Sequence, residues 1–492
     1  MRIHKMNSAI TKYPLFLVLL PIFFILHGFS QYFPEIHLST AGFLILKYIL
    51  ATIILLLICW PIFKDFIKTS LAVFSLLSIN LFWGTLLDLI KTNSGIPFIS
   101  RYIFILPFTF AIIIVVFVYL KKTKAPLKKI TLYLNLLFLI LLLIDLSSIM
   151  LNRTENKRLK TASLNRQMPV CDSCNKPDIY LIVADEYAGK SELKDLFDYD
   201  NPSFEIALKE RNFHFIDSSN SNYNATVYSM ASILNMDYLN NLRSTKINYN
   251  DMLACYNLIR ENNLTGFLKK NNYSIHNFSF YDLESKEKLV TNHYFPNEEE
   301  VLTFRTFLNR LQRDLGFHLF TKKKIEKILR HNMYNNIKTD SLFRQFLKTK
   351  KSKPVFAYTH LDMPHHSYYK KSNGELIPVE MLTDEFTMDK SAYIEYLKYT
   401  NTKLLELIDE IKANSTYPPI IVLMSDHGFR QLEKTVDKKY NFMSLTAVSM
   451  PDSNYTGLYN GMSSVNIFRN ILNTQFKQQL PLLKDSTIFL TE

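Results

Sequence analysis

Five apolar stretches occupy the first 150 residues, near 14–33, 43–63, 70–90, 102–120 and 130–150. About 20 mostly apolar residues carry a helix across the hydrocarbon of a bilayer, and each stretch is of about that length. The first is too long for a cleaved signal segment and lacks a small-residue cleavage site. It contains Pro21, which a membrane helix tolerates. Buried helices of a soluble protein are the alternative, and five such runs in succession speak against it. The chain is therefore expected to comprise a domain of five transmembrane helices (1–150), a polar, aperiodic linker (151–176) and an external domain (177–492).

Basic residues set the orientation. Arg2, Lys5 and Lys12 precede the first stretch, Lys64 and Lys68 lie in the second loop, and Lys121, Lys122, Lys124, Lys128 and Lys129 in the fourth. The first loop has none, and the third only Lys91 and Arg101. That asymmetry predicts a cytoplasmic N-terminus, and five crossings then leave the rest of the chain outside. The formal net charge of +13 follows from the same asymmetry. Residues 1–150 account for +9, beside anionic lipid. The remaining +4 is spread over 342 residues and leaves no nucleic-acid footprint.

Four cysteines are too few for a disulfide framework. Cys171 and Cys174, as CDSC outside the membrane, favour a local disulfide; no further thiol or imidazole nearby completes a zinc knuckle. Cys59 falls in the second span, and Cys255 reads as a buried apolar residue. From Pro177 onward, strand-like runs alternate with helical ones: "DIYLIVADE", "SFEIALKERN", "PVFAYTHLD" (354–362), the amphipathic "YIEYLKYTNTKLLELIDEIKAN" (393–414) and "PIIVLMSDHG". This alternation predicts an α/β domain, a mainly parallel sheet sandwiched by helices.

Ligands of such sheets bind beyond the carboxyl ends of the strands. The first strand delivers Asp185 and Glu186 there, and the last delivers Asp426 and His427, with Gly428 allowing a sharp turn. Mixed carboxylate and imidazole donors suit zinc or manganese better than calcium. "SNYNATVYSMASILNM" (221–236) places Thr226 before a helical stretch. The hydroxyl is either an N-cap or a nucleophile that needs a base or a metal to take its proton. "THLDMPHHSYY" (359–369) adds His360, Asp362, His365 and His366, of which one or two could be merely solvated.

The order of "KPDIYLIVADE", "NATVYSMAS", "PHHSYY", "SDHG" and "SSVNIFRNIL" resembles the alkaline phosphatase superfamily in its sulfatase-like branch. Five spans followed by such a domain are similar to lipoteichoic acid synthases and lipid A phosphoethanolamine transferases. The resemblance implies an alkaline-phosphatase-like fold in a bacterial cytoplasmic membrane, with the catalytic domain on the outer, periplasmic side. It implies one divalent ion, Zn2+ or Mn2+, bound by Asp185 or Glu186, Thr226, Asp426 and His427. His365 matches a histidine that contacts the phosphoryl group, while His360, Asp362, His366 and Tyr368 or Tyr369 would line the substrate pocket. Sulfatases of the superfamily carry Cys-x-Pro-x-Arg at the nucleophile. Residues 226–230 hold neither that cysteine nor that arginine, which speaks against sulfate-ester hydrolysis by that route. Asp362 and His366 have the spacing of a second metal site, but no histidine follows His427 to complete one.

The function these features imply is transfer of a phospho-headgroup from a membrane phospholipid to an envelope lipid or glycan through a phospho-threonine. A membrane-bound phosphodiesterase or phosphatase would use the same residues with water as acceptor. A non-catalytic lipid sensor on the same fold would have lost its ligands, whereas Thr226, Asp426 and His427 are all present.

Overall fold

The computed structural model describes residues 12–93, 101–152, 159–164, 167–292, 296–319, 321–382, 389–432 and 435–491. Arg2, Lys5 and parts of the predicted linker lie outside the described residues. The chain divides into two compact units, Met1–Asn156 with Tyr294–Phe320, and Lys157–His293 with Thr321–Glu492.

In the first unit all five apolar stretches are helical: Phe16–Tyr32, Leu38–Phe63, Phe66–Asn93, Tyr102–Lys122 and Lys128–Asn152. The last four are long and apolar enough to cross a membrane. The first has 17 residues, the short end of what a bilayer needs. Large apolar side chains such as Leu38, Leu57, Ile103, Phe108 and Val115 are exposed along these helices, far more than water tolerates on one surface. Asn135 ties two segments of the bundle together: its side chain accepts from the Phe16 amide at 2.7 Å and donates to the Tyr13 carbonyl at 2.8 Å.

A stretch from the second half of the chain completes this unit. Its helices, Glu298–Thr303 and Phe307–Leu319, pack against the apolar ones. Gly84 N–H donates to the Arg305 carbonyl at 2.9 Å, and a Cβ at Gly84 would sit 2.3 Å from that oxygen, so no other residue fits. Trp83 meets Phe307 edge-on at 5.0 Å, Tyr102 donates to Asp314 at 2.5 Å, and Thr40 donates to Glu298 at 2.6 Å.

The second unit is built on a six-stranded sheet in the order β2-β6-β5-β1-β4-β3. The strands are β1 (Ile179–Ala184), β2 (His214–Phe215), β3 (Ser274–Phe278), β4 (Val355–Leu361), β5 (Ile420–Met424) and β6 (Thr446–Ser449). β3, β4, β1 and β5 run parallel, while β6 and β2 add an antiparallel edge. β1, β4 and β5 are buried along their whole length, as a parallel sheet covered on both faces requires. On one face Tyr180, Ile182, Val355, Ala357, Ile421 and Leu423 pack with Tyr396, Leu404 and Ile408 of the helix Lys390–Asn414 and Phe343 of the helix His331–Leu347. Register decides the rest. Val183 on β1 pairs with His360 on one side and Met424 on the other, so three neighbouring strands end together. Cys171 and Cys174 are disulfide-bonded, with Cα atoms 5.5 Å apart, and Cys59 and Cys255 are buried thiols.

Candidate active site

Thr226 is the first residue of the helix Thr226–Asn235, every residue of which is buried. The cap position belongs to Ala225, and no side chain caps the helix. The Thr226 hydroxyl is therefore free for another partner, and it lies 3.0 Å from His427 Nε2. His427 Nδ1 is 2.7 Å from the Gly428 carbonyl. A carbonyl only accepts, so Nδ1 carries a proton, and in the neutral ring Nε2 has one lone pair, which faces the Thr226 hydroxyl here and would turn to an ion in its presence.

The turn bearing Asp426 and His427 is held rigidly. The Ser425 hydroxyl donates to the His427 carbonyl at 2.5 Å and accepts from Tyr187 N–H at 3.0 Å. The Ser229 hydroxyl donates to the Asp426 carbonyl at 2.5 Å, tying the turn to the Thr226 helix. Gly428 is needed for close approach rather than for its dihedral freedom, since a Cβ there would stand 2.1 Å from the Tyr440 carbonyl oxygen.

Asp185, His360 and Asp426 each offer one ligand atom, and the three atoms lie within 4.8 Å of one another. His427 Nε2 is 3.1 Å from Asp426 Oδ2 and 4.0 Å from Asp185 Oδ1, and His360 Nε2 is 3.4 Å from Asp185 Oδ2. Asp185 Oδ1 and Asp426 Oδ2 are buried and accept no hydrogen bond among the described residues. Buried carboxylate oxygens left this way are costly unless a cation or proton meets them. Burial opposes ionisation of Asp185, yet His365, His360 and His427 outweigh it and hold the carboxyl below its usual range. Burial and the neighbouring Asp185 charge push Asp426 upward. Two carboxylate oxygens and the His360 nitrogen around one point, with His427 Nε2 close to both carboxylates, form a donor set that fits a divalent ion.

Glu186 points elsewhere. Its Oε1 accepts from Arg430 N–H at 2.8 Å, its Oε2 accepts from the Gln431 side chain at 3.1 Å, and His365 Nε2 is 3.7 Å from Oε2. Burial resists a charge on His365, but Glu186 and Asp185 prevail and raise its pKa to about 9. His360, expected beside the substrate, instead joins Asp185, with its Nδ1 2.7 Å from the Tyr358 hydroxyl. Asp362 accepts from Asn292 at 3.3 Å, and burial together with Asp185 lifts its pKa to about 6. His366 and Tyr368 are also buried, the latter edge-on to Tyr393 in the aromatic core, and the Tyr369 hydroxyl accepts from Asn336. Sequence reasoning passed over Ser425, Arg430, Gln431 and the asparagines of the helix His331–Leu347. Asn332 donates to the His366 carbonyl and Asn336 to the Asp362 carbonyl, each at 2.9 Å. The only signal was their spacing, which puts them on one helix face.

The sulfatase family model matches residues 180–461, more than half of the chain and all of the groups just described. The chain belongs to the sulfatase family. This sulfatase-family chain is also similar to solved structures. The periplasmic domain of EptC from Escherichia coli is 13% identical, with a TM-score of 0.41, covering 66% of this chain and 94% of that one. That of the phosphoethanolamine transferase EptC from Campylobacter jejuni is 16% identical, with a TM-score of 0.37 and coverages of 63% and 92%. A phosphonate monoester hydrolase of Agrobacterium radiobacter is 12% identical, with a TM-score of 0.38 and coverages of 61% and 74%. No curated protein matches the chain.

Proposed function

We propose that the protein is a membrane-anchored, metal-dependent phosphotransferase that moves a phospho-headgroup from a membrane phospholipid to an envelope lipid or glycan. The observation that carries this reading is the Thr226 hydroxyl, freed from capping, buried, and set against His427 beside Asp185, Asp426 and His360. Asp185, Asp426, His360 and His427 would hold one Zn2+ or Mn2+ ion, with Thr226 at its edge. Such an ion supplies positive charge that lowers the pKa of a nearby hydroxyl and offsets charge on phosphoryl oxygens. Thr226 loses its proton to solvent water, its oxygen bonds to phosphorus, and the bond to the departing diglyceride oxygen breaks. His365, protonated and buried, is suited to orient the phosphoryl group and to return a proton to that oxygen. A second alcohol then attacks the phospho-threonine and releases Thr226.

The apolar helices support a lipid donor, because anchoring raises the concentration of lipid at the site. The orientation proposed is that of the sequence reading, with the catalytic unit on the periplasmic side. It is supported by the segment 296–319, which packs at His37, Thr40, Gly84 and Tyr102. Lys64, Lys68, Lys121 and Lys122 lie at the opposite helix ends, where Lys68 donates to the Thr123 carbonyl at 2.7 Å.

The test is to mix purified full-length protein with a phospholipid labelled in its headgroup phosphate, quench in acid and map the label by mass spectrometry. A label on Thr226, diglyceride release and a modified acceptor are expected. Thr226→Ala should lose turnover by on the order of 10^3-fold or more while keeping the wild-type melting temperature, and Thr226→Ser should keep part of it. Undiminished turnover in a folded Thr226→Ala protein defeats the proposal; label released only to water makes the protein a hydrolase.

A further inference from the structure

Glu186 is fully buried, and its φ of 60° lies in the left-handed region that side chains other than glycine rarely adopt. Backbone strain of this kind persists where the surroundings enforce it. Here it accompanies a side chain that faces Arg430, Gln431 and His365. Both carboxylate oxygens of Glu186 are engaged, by donors from two loops. His365 comes from the loop after β4; Arg430 and Gln431 come from the one after β5. Arg430 contributes its backbone N–H and also its guanidinium, whose Nε lies 3.9 Å from Glu186 Oε1 and makes no hydrogen bond among the described residues. The Arg430 side chain is 25% exposed, whereas those of Glu186 and His365 are buried. One carboxylate thus gathers a guanidinium, a side-chain amide and an imidazole at a single point.

We infer that Glu186 is not a ligand of the ion but the anchor of an anion clamp, in which Arg430, with Gln431 and His365, binds the non-bridging oxygens of the substrate's phosphoryl group. This rests on the reading of the site as one for phosphoryl transfer. The fork of an arginine matches two phosphoryl oxygens at once, which a lysine point charge does not. Arg430 is then the residue that selects a phosphate-bearing substrate, and Glu186 is a positioning residue that acts through it.

Full-length wild type, Glu186→Gln, Arg430→Ala and Arg430→Lys, with Asp426→Ala as reference, are compared by bound metal and by the Kd for inorganic phosphate from calorimetry. KM and kcat are measured alongside. Glu186→Gln and Arg430→Ala should keep the wild-type metal content while their phosphate Kd rises about tenfold or more. Arg430→Lys should fall between, and KM should rise by a larger factor than kcat falls. Metal content in Glu186→Gln as low as in Asp426→Ala would make Glu186 a ligand. Wild-type phosphate affinity in Arg430→Ala would remove the clamp, and that variant decides the matter even if Glu186→Gln does not fold. Metal content and phosphate affinity are read without turnover, so a Thr226→Ala result that ends the phosphotransfer proposal leaves this test standing.

Discussion

Ala225 and Thr226 divide work that one threonine often does alone. With the cap position taken by alanine, the hydroxyl owes nothing to its own helix and turns to His427. A second residue behind the site bears on pH. Glu192 is buried and accepts from Phe429 N–H at 3.2 Å, and burial, reinforced by Glu186, raises its pKa well above the ordinary value. An unfolded Glu ionises near about 4.3. Above that pH the unfolded chain has released a proton that the folded chain still holds, so stability from this group falls as pH rises until the folded carboxyl also ionises. Glu192→Gln should therefore flatten the decline of melting temperature between acid and neutral pH. Parallel pH profiles for variant and wild type would count against this account.

At the scale of elements, the site exists because β4, β1 and β5 are neighbours that stop in register. β1 and β5 were legible as unbroken apolar runs, and β4 as a mostly apolar one. β2, β3 and β6 were not, because short strands of mixed polarity carry no period strong enough to announce them. The helix His331–Leu347 was opaque for another reason. Asparagine reads locally as a turn or cap residue, and only packing reveals that Asn332 and Asn336 grip the loop carrying Asp362 and His366. Asn336 also accepts from Asp362 N–H at 2.8 Å. Asn336→Ala should cost about 1–3 kcal/mol by leaving buried partners unmet, read from the shift in denaturation midpoint, and should lower turnover by loosening that loop. Gly428→Ala should be worse, since overpacking against the Tyr440 carbonyl cannot be relieved by a rotamer change.

For the whole molecule, sidedness is the testable property. Cysteine introduced at Tyr417, 78% exposed in the second unit, should react with an impermeant maleimide on intact spheroplasts. Cysteine at Lys124, exposed in the loop before Lys128–Asn152, should react only after the membrane is opened. The native cysteines are buried or bonded and give little background. The reverse pattern would invert the proposed topology.

The sequence by itself determined the apolar helices followed by an α/β domain, the parallel core of the sheet and the strand ends on which the proposed site is built. Apolar length and strand-end polarity are local properties written in consecutive residues. Tertiary structure alone decided which oxygens of Asp185 and Glu186 face the imidazoles, that His360 joins them, and that residues 296–319 return to the apolar helices. Each of these depends on where a side chain points once distant segments have packed, and no short-range pattern encodes that direction.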